Sequence, residues 1–234
     1  MQFANIKLYH YPASRSARVK WLLHETVDNN FDVEVVALYD GLQYDEAYLH
    51  KNPNHAVPVL ELTLPGGDRK TMFESGAIIS FLADCFPDKN LAPAADQGSF
   101  ERADYLQMLH FGSTWMDMML WQIRIHNDIL PAAQQHQPTL DRYRQKIASE
   151  VEPQLIARLQ QSPYICGESF TAADCVMLHN VMWAKTYGLC TDKVFSRYLS
   201  QLSKRPAFVQ AFSDAHKFEA RVPEDKALIS RFTG

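Results

Sequence analysis

Two dipeptides in the first third of the chain have the residue types of a peptide-binding site. Val57-Pro58 places a proline, which cannot donate a ladder hydrogen bond, where a predicted strand begins. A cis bond, which is readily accessible only before proline, would leave the N–H and C=O of Val57 free to pair with an extended peptide. Glu74-Ser75 begins a predicted helix, whose N-terminal N–H groups favour a carboxylate. Together they predict a site for a short acidic peptide, although an ordinary hairpin followed by a capped helix has the same pattern.

The elements that must position these residues follow from hydrophobic periodicity. Strands are predicted at 6–9, 31–38, 57–64 and 70–73, and helices at 14–27, 44–50 and 75–85. The first three strands require crossovers between them, whereas the last two form a hairpin. This order predicts a small α/β domain over residues 1–86, with Ser14 as the N-cap of its first helix.

The remainder of the chain is predicted to be helical. Residues 87–99 combine prolines, a glycine and small residues, which indicates a linker. Helical periodicity then predicts one long or kinked helix at 100–129 and further helices at 140–161, from 171, at 195–202 and at 206–215. Pro153 predicts a helix start or kink, and Thr171 with Asp174 forms a capping-box pattern. The second domain is therefore predicted to be all-helical, over residues 100–234.

The composition argues against several classes of protein. Apolar residues make up 47% of the 234 residues, enough for a sizeable core, and the formal net charge of -4 disfavours nucleic-acid or anionic-membrane partners. No apolar run approaches the roughly 18 residues of a membrane span, and the N-terminus has no signal-peptide pattern. The four cysteines form no CxxC pair, and the nine histidines show no metal-ligand spacing. We expect a cytoplasmic protein with reduced thiols and no metal site.

Five motifs, in this order, make the chain resemble the cytosolic glutathione S-transferases over nearly its whole length. They are KLYHYPASRSARVKWLLHE, NPNHAVPVL, FESGAIISFLAD, GESFTAADCVML and YLSQLSKRPAF. The resemblance is to serine-type members of the bacterial and fungal kind. It implies an N-terminal thioredoxin-like domain, an all-helical C-terminal domain and a homodimer. It also implies glutathione as co-substrate and no other cofactor.

The activity of such a protein requires a thiolate at neutral pH, and Ser14 has the features that stabilise one. A free thiol has a pKa of roughly 8.5, so only a small fraction is ionised near pH 7. A hydroxyl that donates to the thiolate supplies about 1.5–3 kcal/mol, and a helix N-terminus adds about 0.3–1 kcal/mol. Ser14 combines a hydroxyl with a helix start. Ser16, Tyr9 and Tyr11 are the alternatives, and a plain N-cap without a catalytic role is the other interpretation of Ser14.

The resemblance also implies which residues bind the tripeptide. Val57 matches the position whose main chain pairs with the cysteinyl unit. Glu74 and Ser75 match the pair that holds the γ-glutamyl amine and carboxylate. Gln43 follows the turn after which one class of the family binds the glycyl end.

The chain departs from the family pattern just before Val57. His55 and Ala56 stand where the family usually has glycine followed by lysine or glutamine. His55 is a candidate for the missing side-chain contact, and a surface histidine without a role is the alternative. The departure predicts weaker affinity for glutathione.

A pocket for a second, apolar substrate is expected between the domains. Its candidate residues are aromatic or methionine side chains, which suit an apolar electrophile: Tyr11, Phe111, Trp115, Met116 and Met119. The same stripe at helical spacing is also typical of an ordinary core.

The sequence therefore predicts a transferase that conjugates reduced glutathione to apolar electrophiles. One alternative is a glutathione-dependent lyase, isomerase or peroxidase on the same fold. Another is a non-catalytic glutathione-binding or regulatory protein, because fold does not settle function.

Overall fold

A computed structural model of the chain describes residues 3–95 and 98–219. Its sheet has the order β2-β1-β3-β4, formed by β1 (Asn5–His10), β2 (Asp32–Val35), β3 (Val59–Thr63) and β4 (Arg69–Phe73). The β1–β2 pair is parallel, and the β1–β3 and β3–β4 pairs are antiparallel. The four predicted strands and the hairpin are confirmed. The second and third strands are shorter than predicted because their ends lie outside the ladders.

Helices α1 (Arg15–Val27) and α2 (Glu46–Leu49) lie between these strands, and α3 (Ser75–Cys85) follows β4. The apolar face of α1 packs into the core through Trp21, Leu22 and Leu23, which have no exposed surface. β1 buries Ile6, Leu8 and His10 at alternate positions, as one face of a strand does. His10 is therefore carried into the interior by the same alternation that buries its apolar neighbours.

The second part of the chain is helical. It contains α4 (Phe100–His110), α5 (Asp117–Arg124), α6 (Gln137–Lys146), α7 (Glu152–Gln161), α8 (Ala172–Thr186) and α9 (Lys193–Leu202). Wider π-type turns at Phe111–Met116 and Ile125–Ile129 interrupt the helix predicted for 100–129. Another at Ile147–Val151 precedes α7, in which Pro153 occupies the first turn, so the predicted start or kink is confirmed.

The capping box at the start of α8 is also confirmed. The Asp174 carboxylate accepts hydrogen bonds from the N–H and the hydroxyl of Thr171, at 2.8 and 3.2 Å. It also accepts from the Ile165 N–H at 2.9 Å and from the Tyr198 hydroxyl at 2.6 Å. This fully buried aspartate thereby joins the start of α8 to the preceding loop and to α9.

The chain divides into two compact units, and their boundaries differ from those of the predicted domains, 1–86 and 100–234. One contains the described residues of Met1–Leu82 and Pro206–Gly234, and the other contains those of Ala83–Arg205. Helix α10 (Pro206–Ala211) thus belongs to the first unit, because its Phe208 and the following Phe212 contact Trp21 of α1 edge-on, with ring centroids 5.0 and 6.3 Å apart. Residues 96–97 of the predicted linker and 220–234 of the predicted helical domain lie outside the described residues.

Among residues 3–95 and 98–219, no helix is long and apolar enough to cross a membrane. All four cysteines are free thiols, and all belong to the second unit. Burial raises the pKa of both Cys166 and Cys190 to about 12, so neither is ionised at neutral pH. The first unit therefore has no cysteine of its own to act as a nucleophile.

Candidate functional site

Ser14 lies at the N-terminus of α1, as the sequence predicts. It is the N-cap, with extended backbone angles, and its side chain accepts from the Ser16 N–H at 3.3 Å. Its Oγ lies 2.8 Å from the carbonyl oxygen of Tyr11 and 2.8 Å from the Oγ of Ser16. The preceding Ala13 has a positive φ of 51°, an uncommon conformation for a residue other than glycine. The turn thus holds a partly exposed hydroxyl where the helix N–H groups begin.

Ser16, the alternative activator, is in a different environment. It has no exposed surface, and its Oγ lies 2.7 Å from Nδ1 of His10. The same oxygen accepts from the Tyr11 N–H at 3.0 Å and lies 3.1 Å from the Tyr11 carbonyl oxygen. Ser16 is therefore enclosed, and of the two serines only Ser14 is partly exposed.

His10 connects this loop to a residue from the far end of the chain. Its Nε2 lies 3.2 Å from Oδ2 of Asp214, and the same carboxylate oxygen accepts from Nζ of Lys20 at 2.8 Å. Burial lowers the pKa of His10, although the hydrogen bond with Asp214 opposes this effect. Burial acts to raise the pKa of Asp214, but the hydrogen bonds from His10 and Lys20 outweigh it and hold that pKa below its ordinary value. At neutral pH the pair is thus a neutral imidazole and a carboxylate.

The two tyrosine alternatives are engaged elsewhere. The Tyr9 hydroxyl donates to Oε2 of Glu61 at 3.4 Å, and burial followed by the charge of Glu61 raises the pKa of Tyr9. Tyr11 is buried and packs edge-on against Tyr39 and Phe218, with centroids 5.8 and 6.2 Å apart. Tyr11 reaches the serine loop through its main chain, which contacts both hydroxyls.

The segment at Val57, just before β3, has the geometry expected for pairing with a peptide. The Val57-Pro58 bond is cis. The carbonyl oxygen of Ala56 accepts hydrogen bonds from the Tyr48 hydroxyl and from Nδ2 of Asn52, both at 2.8 Å, which fixes the preceding turn. Within residues 3–95 and 98–219, neither the N–H nor the C=O of Val57 forms a hydrogen bond.

The start of α3 is also shaped as the sequence predicts. Glu74 is exposed with a φ of 69°, and its C=O accepts from the Ile78 N–H at 2.9 Å. Ser75, the first helical residue, is buried. A left-handed conformation at a glutamate costs on the order of 1 kcal/mol or more and is often kept for a functional reason. Here the exposed Glu74 directly precedes the first turn of α3.

Gln43 is a buried amide whose Oε1 has no hydrogen-bond partner among the described residues. An unsatisfied buried acceptor costs about 1–3 kcal/mol, so a ligand N–H would stabilise this site. His55 is exposed with a φ of 44°, and its ring lies 4.9 Å from that of Tyr44. The structure thus places Gln43 as an enclosed polar group and His55 on an exposed turn.

The residues proposed for the second substrate fall in different units. Tyr11 belongs to the first unit, and Phe111, Trp115, Met116 and Met119 belong to the second. Met116 and Met119 have no exposed surface and form part of the helical core, whereas Trp115 is 43% exposed. Nζ of Lys146 lies 5.4 Å from the Trp115 ring centroid. The apolar pocket stays a prediction.

Sequence reasoning did not identify His10 or Asp214. A signal for His10 was present, because it follows Ile6 and Leu8 at the strand period and must share their buried face. A buried histidine at the end of a strand, six residues before a serine at the start of the next helix, is a local signal for such a pair. Asp214 carried no comparable signal, since 204 positions separate it from His10.

Comparison with known proteins places this geometry in context. Residues 8–90 match the family model of the glutathione S-transferase N-terminal domain. Glutathione S-transferase GstA of Escherichia coli O157:H7 is 24% identical over 89% of this chain and 98% of its own length. Disulfide-bond oxidoreductase YfcG of Escherichia coli strain K12 is 27% identical over 92% and 98%, respectively.

A solved structure extends the similarity to both units. A glutathione transferase family member from Pseudomonas fluorescens, with two glutathione molecules bound, superposes with a TM-score of 0.78. It is 23% identical over 90% of this chain and 92% of that one. The thioredoxin-like α/β fold followed by helices is thereby confirmed.

Proposed function

Because this chain belongs to the glutathione S-transferase family, we propose that it conjugates reduced glutathione to apolar electrophiles, with Ser14 stabilising the thiolate. The observation that supports this most directly is the partly exposed Ser14 hydroxyl at the N-terminus of α1. The unpaired main chain of Val57 and the start of α3 belong to the same unit. These are the groups that a tripeptide thiol needs.

In the proposed complex, the main chain of Val57 pairs with the cysteinyl unit of glutathione. Glu74 binds the γ-glutamyl amine, and Ser75 with the N–H groups of α3 binds its carboxylate. Oε1 of Gln43, which has no hydrogen-bond partner among the described residues, accepts from an N–H at the glycyl end of glutathione. This unsatisfied acceptor supports the assignment of Gln43 to the glutathione site.

The Ser14 hydroxyl donates to the thiolate and shifts the thiol pKa downwards by about one to two units. The thiolate electron pair then attacks the electrophilic carbon and forms a C–S bond, while the leaving group departs with its bonding pair. Since the first unit has no cysteine, the sulfur nucleophile is that of glutathione itself.

The test is a titration of glutathione bound to the protein. Retention on immobilised glutathione establishes binding, and the ultraviolet absorbance of the thiolate as a function of pH gives the thiol pKa in the complex. We expect Ser14→Ala to raise this pKa and to lower turnover with an aryl halide about ten- to a hundred-fold. Ser14→Thr, which keeps the hydroxyl, is the matched control. Unchanged turnover in Ser14→Ala would contradict the proposal.

A second candidate function is glutathione-dependent disulfide reduction, which the similarity to YfcG favours. Here the thiolate attacks a substrate disulfide and releases one thiolate. A second glutathione then attacks the mixed disulfide, giving glutathione disulfide and the second thiol. Parallel assays with an aryl halide and a small dialkyl disulfide distinguish the two activities, because both use Ser14 but consume different electrophiles.

The homodimer and the apolar pocket remain part of the proposal. Light scattering after gel filtration tests the dimer. For the pocket, Trp115→Ala should raise the KM for the electrophile and leave the affinity for glutathione unchanged.

A further inference from the structure

Four side chains of the first unit form one continuous chain of hydrogen-bonding contacts. It runs from Oδ2 of Asp214 to Nε2 of His10 (3.2 Å), and from Nδ1 of His10 to Oγ of Ser16 (2.7 Å). It continues from Oγ of Ser16 to Oγ of Ser14 (2.8 Å). The first three members are largely enclosed, and the last is partly exposed. Thiolate stabilisation by Ser14 alone does not account for the three residues behind it.

The charge on Asp214 fixes the direction of these hydrogen bonds in the free protein. A carboxylate only accepts, so Nε2 of the neutral imidazole must carry the proton that points at Asp214. Nδ1 is then a bare acceptor, and the Ser16 hydroxyl donates its single hydrogen to it. Ser16 Oγ is left as an acceptor, for the Tyr11 N–H at 3.0 Å and for the Ser14 hydroxyl.

This arrangement creates a conflict if Ser14 simply turns towards a thiolate. Its hydrogen would leave the 2.8 Å contact with Ser16, and two oxygens would face each other with no hydrogen between them. The single Ser14 hydrogen can serve either this contact or the 2.8 Å contact with the Tyr11 carbonyl oxygen, but not both. When it points at a thiolate, the contact between the two serine oxygens regains a hydrogen only if the Ser16 hydrogen points at Ser14, which requires a proton on Nδ1 of His10.

We propose that His10, supported by Asp214, accepts the thiol proton of glutathione through the hydroxyls of Ser16 and Ser14. This inference rests on the proposed function. The S–H bond breaks and its proton moves to Ser14 Oγ, as the Ser14 hydrogen moves to Ser16 Oγ and the Ser16 hydrogen to Nδ1. Both hydroxyls remain neutral, the products are a thiolate and an imidazolium, and the charge balances. Ser14 now donates to the thiolate and accepts from Ser16.

The charged groups around His10 suit a base that is protonated only transiently. Asp214, which follows α10 in the chain, stabilises the imidazolium. The positive charge of Lys20 in α1 destabilises it. Burial favours the neutral imidazole in the free protein, whereas the negative charge of a bound thiolate favours the imidazolium, so the imidazolium persists only while the thiolate is present. Once the neutral thioether has formed, the proton returns along the same hydroxyls to solvent. His10 and Asp214 are thus positioning residues that act through Ser14, the group expected to touch the substrate.

The first test measures the pKa of the bound thiol in matched variants. We expect His10→Gln and Ser16→Ala each to raise it by about one unit, a ten-fold loss of thiolate at a given acidic pH. The double variant should be no worse than the more severe single one, because both changes break one chain. His179→Gln makes the same change at a buried histidine of α8 and should leave the thiol pKa unchanged. Lys20→Gln should instead lower the pKa of the bound thiol, because it removes the positive charge that destabilises the imidazolium.

The second test uses the unaltered protein, so it does not depend on any variant folding. Nitrogen NMR of isotopically labelled histidine reports whether Nδ1 of His10 carries a proton. Reduced glutathione should convert it from a bare nitrogen to an N–H, and S-methylglutathione, which has no thiol proton, should not. A bound thiolate with an unchanged Nδ1 overturns the relay.

The outcomes also separate this inference from the proposed function. If Ser14→Ala raises the thiol pKa while His10→Gln and Ser16→Ala do not, the relay is wrong and thiolate stabilisation by Ser14 stands. If glutathione binds the wild-type protein without a lowered thiol pKa, both are wrong.

Discussion

Two aspartates, the fully buried Asp174 of the second unit and the partly exposed Asp214 of the first, organise networks of opposite character. Asp174 has no exposed surface and accepts from two main-chain N–H groups and two neutral hydroxyls. Asp214 uses one oxygen for both Lys20 and His10, and its Oδ1 has no partner among the described residues.

The difference lies in whether the protons of each network can move. Main-chain N–H groups cannot give up a proton at neutral pH, so the Asp174 network has one arrangement and serves to join α8 to its surroundings. In the Asp214 network, each hydrogen bond between His10, Ser16 and Ser14 can reverse, and the last hydroxyl reaches the surface. A closed network stabilises the fold, and an open one can take part in chemistry.

The largest effect that separates the two networks is expected from Asp174→Ala. It leaves the Tyr198 hydroxyl and two N–H groups buried without partners, so the free energy of unfolding should fall by about 3–5 kcal/mol. Asp192→Ala, which removes the exposed N-cap of α9, is the control and should cost about 1 kcal/mol. Urea unfolding followed by circular dichroism gives both values. Equal losses would mean that the Asp174 network is not specially stabilising.

Asp214→Asn should lower the free energy of unfolding by a smaller amount, about 1–3 kcal/mol at neutral pH. The reason is that the hydrogen bonds with His10 and Lys20 lose their charged acceptor. The folded-state pKa of Asp214 is lower than its unfolded value, so its contribution is present above the unfolded pKa of roughly 4. That contribution is lost as the pH falls through the folded pKa. The stability difference between wild type and Asp214→Asn should therefore narrow on acidification, as measured by unfolding at a series of acid pH values. A difference that is constant with pH would contradict the assignment.

Gln43→Met tests whether an unsatisfied group of the first unit is kept for a ligand. The change removes a buried acceptor that has no partner among the described residues and keeps a similar shape, so stability should stay equal or rise by up to about 1 kcal/mol. Affinity for glutathione should fall. Thermal unfolding and calorimetric titration of the same variant measure the two effects. A loss of stability without a loss of affinity would give Gln43 a structural role.

A further expected effect is the pH dependence that His10 gives to folding. Burial lowers its pKa, so below the unfolded value of roughly 6.5 the unfolded chain binds a proton that the folded protein does not. Stability should fall as the pH drops from there towards the folded pKa, by at most about 1.4 kcal/mol per pH unit. His10→Gln should remove this slope. His179→Gln, the same change at the buried histidine of α8, is the control and should leave the slope in place. Unfolding free energies between pH 7 and pH 5 provide the measurement.

Local patterns predicted the parts of the molecule that are determined locally. Ser14 was predicted as an N-cap because serine before a helical repeat satisfies an otherwise free N–H, and Thr171 with Asp174 was predicted for the same reason. The Val57-Pro58 bond and the start of α3 followed from the backbone preferences of proline and of helix ends. Each of these signals lies within four residues of the feature that it predicts.

Features that depend on distant residues could not be predicted in this way. Asp214 has the residue type of any surface aspartate, and only tertiary packing brings it to His10. The assignment of Pro206–Ala211 to the first unit depends on the contact of Phe208 with Trp21, which a helical period does not reveal. The wider turns at Phe111–Met116 leave the apolar repeat nearly unchanged, so the sequence predicted a long helix or a kinked pair without locating the interruption.

The return of α10 to the first unit has a consequence for how the protein can be dissected. An excised fragment of residues 1–82 would retain Ser14, Val57 and Ser75, yet it would lack both the aromatic cover of Trp21 and the carboxylate that orients His10. During synthesis, likewise, the ribosome must produce all of residues 83–205 before Phe208 and Asp214, which contact Trp21 and His10. A minimal version of the half that carries the proposed glutathione site would have to join two non-adjacent pieces of the chain.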